Sequence, residues 1–190
     1  FEADSATVDM DPSAGGATTR DSGGAGGAPP LGGPHTPEEL LAAAHDLEDA
    51  GQLSEAVELY RAALVAGGGN AVNHFALAEA LYRLNEVEAA RERYYVAIEL
   101  DGEFVEARFN LACVLAELGE SELAVAAFEG ALSLHSEYAD AHYHLARLLD
   151  ELGRREAAEE HWRRFRDQAP AGAWADEAER RLALSDSPAE

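Results

Sequence analysis

The triplet His142-Tyr143-His144 invites a metal reading, because two imidazoles that converge can share one ion. Helical spacing argues against it, since residues two apart sit roughly 200° around a helix axis and both rings cannot easily reach one ion. One of the two must face a partner helix, so both are expected to pack or to lie at the surface. His45, His74, His135 and His161 are scattered and make no spaced cluster with the single cysteine, Cys113, or with carboxylates. Cys113 has no histidine three or four residues away and several acids nearby, an environment that disfavours the thiolate and hence a nucleophilic role. A lone cysteine also leaves no internal disulfide. No phosphate loop or glycine fingerprint lies between a strand and a helix, because no segment reads convincingly as a strand. Neither catalysis nor a cofactor or metal is expected.

Charge narrows the partners. The 190 residues carry 37 acids against 14 basic residues, a formal net charge of -23. Such a chain repels nucleic-acid phosphates and anionic membrane surfaces over about a Debye length, so neither is expected as a direct partner. A basic protein surface or a saline habitat would each favour this acidity. Every basic residue is Arg and none is Lys, with Ala and Gly abundant, which fits the codon usage of a GC-rich, bacterial genome. No apolar run reaches the 18 residues of a transmembrane helix, so the chain reads as soluble, with a cytoplasmic location favoured. Its start at Phe1 instead of Met reads as a fragment or a processed product.

The elements that would position any site begin late. Residues 1–36 hold eight glycines and four prolines with almost no periodic apolar residues, too little to offset the entropy of ordering, and read as a disordered, flexible acidic linker. At Thr36-Pro37-Glu38-Glu39 a helix should start: Thr36 caps it, Pro37 suits its first position and Glu39 closes a capping box.

From Pro37 the chain repeats with a period of 34, without gaps, as units 37–70, 71–104, 105–138 and 139–172. Position 8 is always Ala (Ala44, Ala78, Ala112, Ala146), as is position 20 (Ala56, Ala90, Ala124, Ala158). Position 24 is always aromatic (Tyr60, Tyr94, Phe128, Trp162), and position 27 is Ala63, Ala97, Ala131 and then Phe165. Small residues at 8 and 20 let two helices approach, the ring at 24 fills the space between units, and Gly51, Asn85, Gly119 and Gly153 at position 15 accept the left-handed turn between helices. Residues 173–184 fail as a fifth unit, because Glu179 and Arg180 fall at its buried positions 7 and 8; they read as a capping helix, with 185–190 a disordered tail.

This pattern of small residues at 8 and 20 and an aromatic at 24 resembles the tetratricopeptide repeat family, over 136 of the 190 residues. The family's frequent Pro at position 32 is met by Pro170 alone, where the other units have Gly68, Gly102 and Ser136. Unit one also has Leu40 and Ala43 where the family has bulkier residues at positions 4 and 7. The resemblance implies an all-α fold: a right-handed α-solenoid of four helix-turn-helix units plus the C-terminal capping helix.

The resemblance further implies a concave groove lined by the first helix of each unit. Carried onto this sequence, its binding residues are Leu41 and His45; Phe75, Glu79, Tyr82 and Arg83; Glu106, Phe109, Cys113 and Glu117; and Asp140, Tyr143 and Arg147. Over the full inferred lining nine acids, among them Glu48, Asp150 and Glu151, face Arg83 and Arg147. Phe75, Tyr82, Phe109 and Tyr143 are expected to be spare rings that internal packing does not need, suited to a peptide with apolar anchors and basic flanks. Some relatives clamp a chaperone's C-terminal carboxylate with Lys, Asn and Arg. The matching positions here are Leu41, His45, Ala76, Glu106 and Asn110, or one unit later Phe75, Glu79, Asn110, Asp140 and His144, so that ligand is not expected. Unit four holds six arginines, read as paired on a solvated face, with a surface for an acidic partner as the alternative. The leading expectation is a noncatalytic protein-binding scaffold. The alternative is the C-terminal interaction region of a longer bacterial transcription regulator with a DNA-binding domain upstream of residue 1, an analogy of domain arrangement.

Overall fold

The structure is a computed structural model that describes residues 35–67, 69–168 and 172–185. The linker expected over 1–36, the tail expected over 185–190 and Pro170 lie outside the described residues, apart from His35, Thr36 and the backbone of Ser185. The described residues form nine helices, α1 (Pro37–Asp49), α2 (Leu53–Val65), α3 (Ala71–Arg83), α4 (Val87–Leu100), α5 (Val105–Glu117), α6 (Ser121–Leu134), α7 (Ala139–Glu151), α8 (Arg155–Gln168) and α9 (Ala173–Ser185). Each packs on its neighbours in sequence, two helices to a unit, and the chain is an all-α helical repeat solenoid closed by α9.

Helix ends follow the local code. The Glu39 amide donates to Thr36 Oγ1 at 3.2 Å and the Thr36 amide to Glu39 Oε2 at 3.1 Å, so the capping box forms. Inside each unit the reversal is a Schellman motif. In unit one, the Gln52 amide donates to Leu47 O (2.8 Å) and the Gly51 amide to Glu48 O (2.9 Å). The same pair of bonds recurs at Glu86 and Asn85, at Glu120 and Gly119, and at Arg154 and Gly153. The left-handed residue that closes each is Gly51, Asn85, Gly119 or Gly153, with φ of 75°, 62°, 77° and 73°.

That turn brings positions 8 and 20 face to face. All eight alanines there are fully buried at 0% exposure, and Tyr60, Tyr94, Phe128 and Trp162 are buried with them. A larger side chain at either alanine would wedge the helices apart. Phe165, the one large residue at position 27, is buried with its ring 5.2 Å from Tyr143, in the space beside the final unit. The cap buries Ala178 and Leu182 while leaving Glu179 and Arg180 in solvent, as a terminal element must.

Candidate functional site

Hydrogen bonds between residues 31 to 35 apart join α1 to α3, α3 to α5 and α7 to α9, and the Phe109 ring of α5 packs on His144 of α7, so the first helices lie side by side and form one face. Arg83 of α3 reaches Glu48 of α1 (2.5 Å), Asn110 Nδ2 of α5 donates to Glu79 of α3 (2.7 Å), and Tyr82 of α3 donates to Glu117 of α5 (2.9 Å). Tyr143 of α7 donates to Glu177 of α9 (2.6 Å).

A second pattern runs across this face. In three units the ring at position 24 carries a hydrogen-bond donor, and a first-helix acid accepts from it. Tyr60 donates to Glu48 Oε2 (2.7 Å) and its oxygen lies 2.8 Å from His45 Nδ1; Tyr94 donates to Glu79; Trp162 Nε1 donates to Asp150 Oδ2 (3.0 Å). A buried O–H or N–H without an acceptor costs about 1–3 kcal/mol, so these acids are first of all partners for the core rings. Burial and the adjacent carboxylates push the Tyr60 and Tyr94 hydroxyls well above the usual phenol range. Unit three differs: its ring is Phe128, with no donor, and the positions that would supply the acid are Cys113 and Ala116. There a cleft of about 300 Å³ opens, lined by Tyr82, Cys113, Ala116, Phe128, His144, Arg147, Leu148 and Glu151.

The expected site residues are distributed unevenly by this geometry. Leu41, Phe75 and Phe109 are half-buried against the core, His45 and Glu106 are exposed, and Asp140 is half-buried. The rings expected to be spare are mostly engaged. Phe75 packs on Tyr94 and Phe104, with ring centres 5.8 and 4.8 Å apart; Phe109 packs on Phe128, Tyr138 and His144, at 5.8, 4.9 and 5.6 Å. Tyr143 is only 4% exposed, because Trp174 of the capping helix stacks on it at 4.7 Å. The reason is that consecutive units leave gaps along the inner wall that only large side chains fill. Tyr82, 41% exposed, stays at the surface, its hydroxyl pushed up to about 12 by burial and by Glu117.

Arg83 and Arg147 each lie beside a groove acid, Glu48 and Glu151 (3.9 Å for the latter), so neither offers an unopposed positive charge. Asn110, the only residue matching the carboxylate clamp, turns its amide to Glu79, so a ligand carboxylate there would meet a like charge. Burial, Asp140 and Glu79 push the Cys113 thiol up to about 12. Among the described residues no three His, Cys, Asp or Glu side chains converge to hold a metal ion, and no helix is long and apolar enough to cross a membrane.

Sequence reasoning missed several participants. Trp174, Glu177 and Arg181 of α9 close one end of the face, Arg181 lying 3.6 Å from Asp150 and 3.5 Å from Glu177. His142 and His161 meet with their Nδ1 atoms 2.9 Å apart, and His142 Nε2 donates to Ser136 O (3.0 Å). Nineteen residues separate that pair, so no helical spacing announces it. The unit-three cleft did leave a signal: the loss of the donor at position 24 coincides with the loss of the acid at positions 9 and 12. The arginines of unit four are mostly paired, Arg154 with Glu122 (2.5 Å), Arg163 with Glu159, Arg164 with Glu160 (3.6 Å) and Arg166 with Asp167 (2.9 Å).

Two family models, both described as Tetratricopeptide repeat, match residues 41–103 and 115–176. Among solved structures the chain is similar to YrrB, described as a TPR protein with an unusual peptide-binding site. The two share 25% identity and a TM-score of 0.69 over 76% of this chain and 74% of that one. It is similar to PilF of Pseudomonas aeruginosa at 23% identity and a TM-score of 0.70, over 79% of this chain and 68% of that one. It is also similar to the first TPR of Spaghetti (RPAP3) bound to the HSP90 peptide SRMEEVD, at 21% identity and a TM-score of 0.59, over 62% of this chain and 94% of that one. The last two likenesses show the fold alone. No curated protein sequence matches the chain.

Proposed function

Because the chain belongs to the tetratricopeptide repeat family and is a protein-interaction scaffold, we propose that its first-helix face holds a basic segment of a partner protein and performs no chemistry. The observation that carries this reading is the charge of the face. Nine acids fall at the positions where family members line this face, three of them (Glu48, Glu79 and Asp150) also accepting from core rings, and the two arginines at those positions are opposed by Glu48 and Glu151. Exposed Tyr82 and the acids Glu106 and Glu117 flank the centre of the face, where an extended chain would cross from α3 to α7. Rim carboxylates steer a cationic segment and set its salt dependence more than its release rate.

The test is binding of a fluorescent Arg- and Lys-rich peptide, followed by stopped flow across a salt series. Glu106→Gln with Glu117→Gln should slow association and flatten the salt dependence, whereas Glu129→Gln, on the exposed side of α6, should change little. Equal effects from the two sets of changes would show that total charge, and not this face, attracts the peptide.

A further inference from the structure

The unit-three cleft departs from the rest of the face in a way that points to a ligand. Units one, two and four each bury a donor ring against a first-helix acid: Tyr60 with Glu48, Tyr94 with Glu79, Trp162 with Asp150. These rungs fill the floor of the face with side chains that satisfy one another. Unit three has neither half of a rung, since Phe128 offers no donor and Cys113 and Ala116 offer no charge. The space a carboxylate occupies elsewhere is a cleft of about 300 Å³, at the small end of ligand pockets and suited to one side chain.

Its lining is apolar below and charged above. Phe128, Leu148, Cys113 and Ala116 form the base, and Glu151 and Arg147 stand at the wall beside Tyr82, whose hydroxyl is already committed to Glu117. His144 completes the wall with its ring 5.6 Å from Phe109 and 6.2 Å from Phe128. A charged group seated against Phe128, Leu148 and Ala116 would lose water without gaining a hydrogen bond from those side chains. A large apolar side chain would lose nothing and would gain contact with the apolar part of the lining.

We propose that this cleft is an anchor pocket that takes one large apolar side chain, Leu or Phe, from a basic segment lying across the first-helix face. The proposal rests on the groove reading above and adds to it a sequence requirement, one apolar residue between cationic flanks. The flanks follow from charge complementarity: exposed Glu151 of α7 lines the cleft, and exposed Glu117 of α5 holds the hydroxyl of Tyr82, which lines it too.

The probes are heptapeptides of sequence Lys-Arg-Ala-X-Ala-Arg-Lys, where X is Leu, Phe, Ala or Glu, with affinity to the full chain read by fluorescence anisotropy. The Leu and Phe peptides should bind about tenfold or more tighter than the Ala peptide, the gain from fully burying such a side chain. The Glu peptide should bind weakest. Ala116→Glu with Phe128→Tyr rebuilds in unit three the rung of Tyr60 and Glu48 and fills the cleft, so it should erase the preference for Leu over Ala without flattening the salt dependence. Ala116→Glu alone, which leaves the core ring untouched, should do the same and guards against a folding defect in the double variant. Equal binding of the Leu and Ala peptides to the parent, or a preference that survives both variants, overturns the pocket and leaves the acidic groove standing. If no peptide binds the parent at all, both readings fall.

Discussion

Tyr94→Phe tests whether the carboxylates of the first-helix face are held by the core rings. The Glu79 carboxylate accepts from the Tyr94 hydroxyl and from Asn110 Nδ2 at 2.7 Å, linking α4, α3 and α5. Removing the phenol oxygen costs one charge-assisted hydrogen bond, about 1.5–3 kcal/mol. For an ordered region of this size that corresponds to a drop of about 3–12 °C in melting temperature. Asn110→Ala removes the other donor. The two losses share one carboxylate, so the double variant should be worse than the sum by about 0.5 kcal/mol or more, because the second loss leaves Glu79 half-buried with no donor. Urea unfolding read by far-UV circular dichroism gives the cycle. Trp162 and Trp174 lie in unit four and the cap, so their fluorescence reports whether damage in unit two propagates along the solenoid. Additivity within about 0.3 kcal/mol, or a Tyr94→Phe variant as stable as the parent, would refute the view that the rings and acids of this face form coupled rungs.

Three further outcomes follow from packing and titration. Ala124→Leu should destabilise by about 1–3 kcal/mol in urea, because position 20 is fully buried where α5 and α6 touch; parental stability would contradict the repeat register. Burial holds His74, His142, His144 and His161 below the usual imidazole range, with Arg164 facing His142 and His161 as a further lowering charge and Glu160 opposing it. The unfolded chain therefore binds more protons than the folded one as pH falls through about 6.5, so stability is complete above that value and declines below it; His161→Gln should flatten the slope of urea midpoint against pH. Cys113, with its thiol pushed up to about 12, should react with a thiol reagent at neutral pH far more slowly in the native protein than in urea, and equal rates would contradict its burial.

The period of 34, the four reversals and the buried alanines were all legible in the residues, because each depends on contacts within one unit or between adjacent turns. Gly51, Asn85, Gly119 and Gly153 had to adopt positive φ wherever two helices reverse in three residues, and Thr36 with Glu39 had to close the first cap. The all-α repeat solenoid and the family resemblance come from that same local code. The binding face was legible only as a set of positions. That Phe75, Phe109 and Tyr143 would be absorbed into the wall depended on which side chains the end of the unit or the cap brought against them, Phe104, Tyr138 and Trp174 among them, 29 to 31 residues away in sequence. Whether an acid faced a ligand or a core donor was likewise decided by packing: Glu48, Glu79 and Asp150 look like groove charges in the sequence and serve Tyr60, Tyr94 and Trp162 in the structure. Composition sets how many carboxylates lie on a helix face. Only the approach of the second helix determines which of them must first satisfy a buried hydrogen-bond donor, and that competition is what leaves the cleft at Phe128.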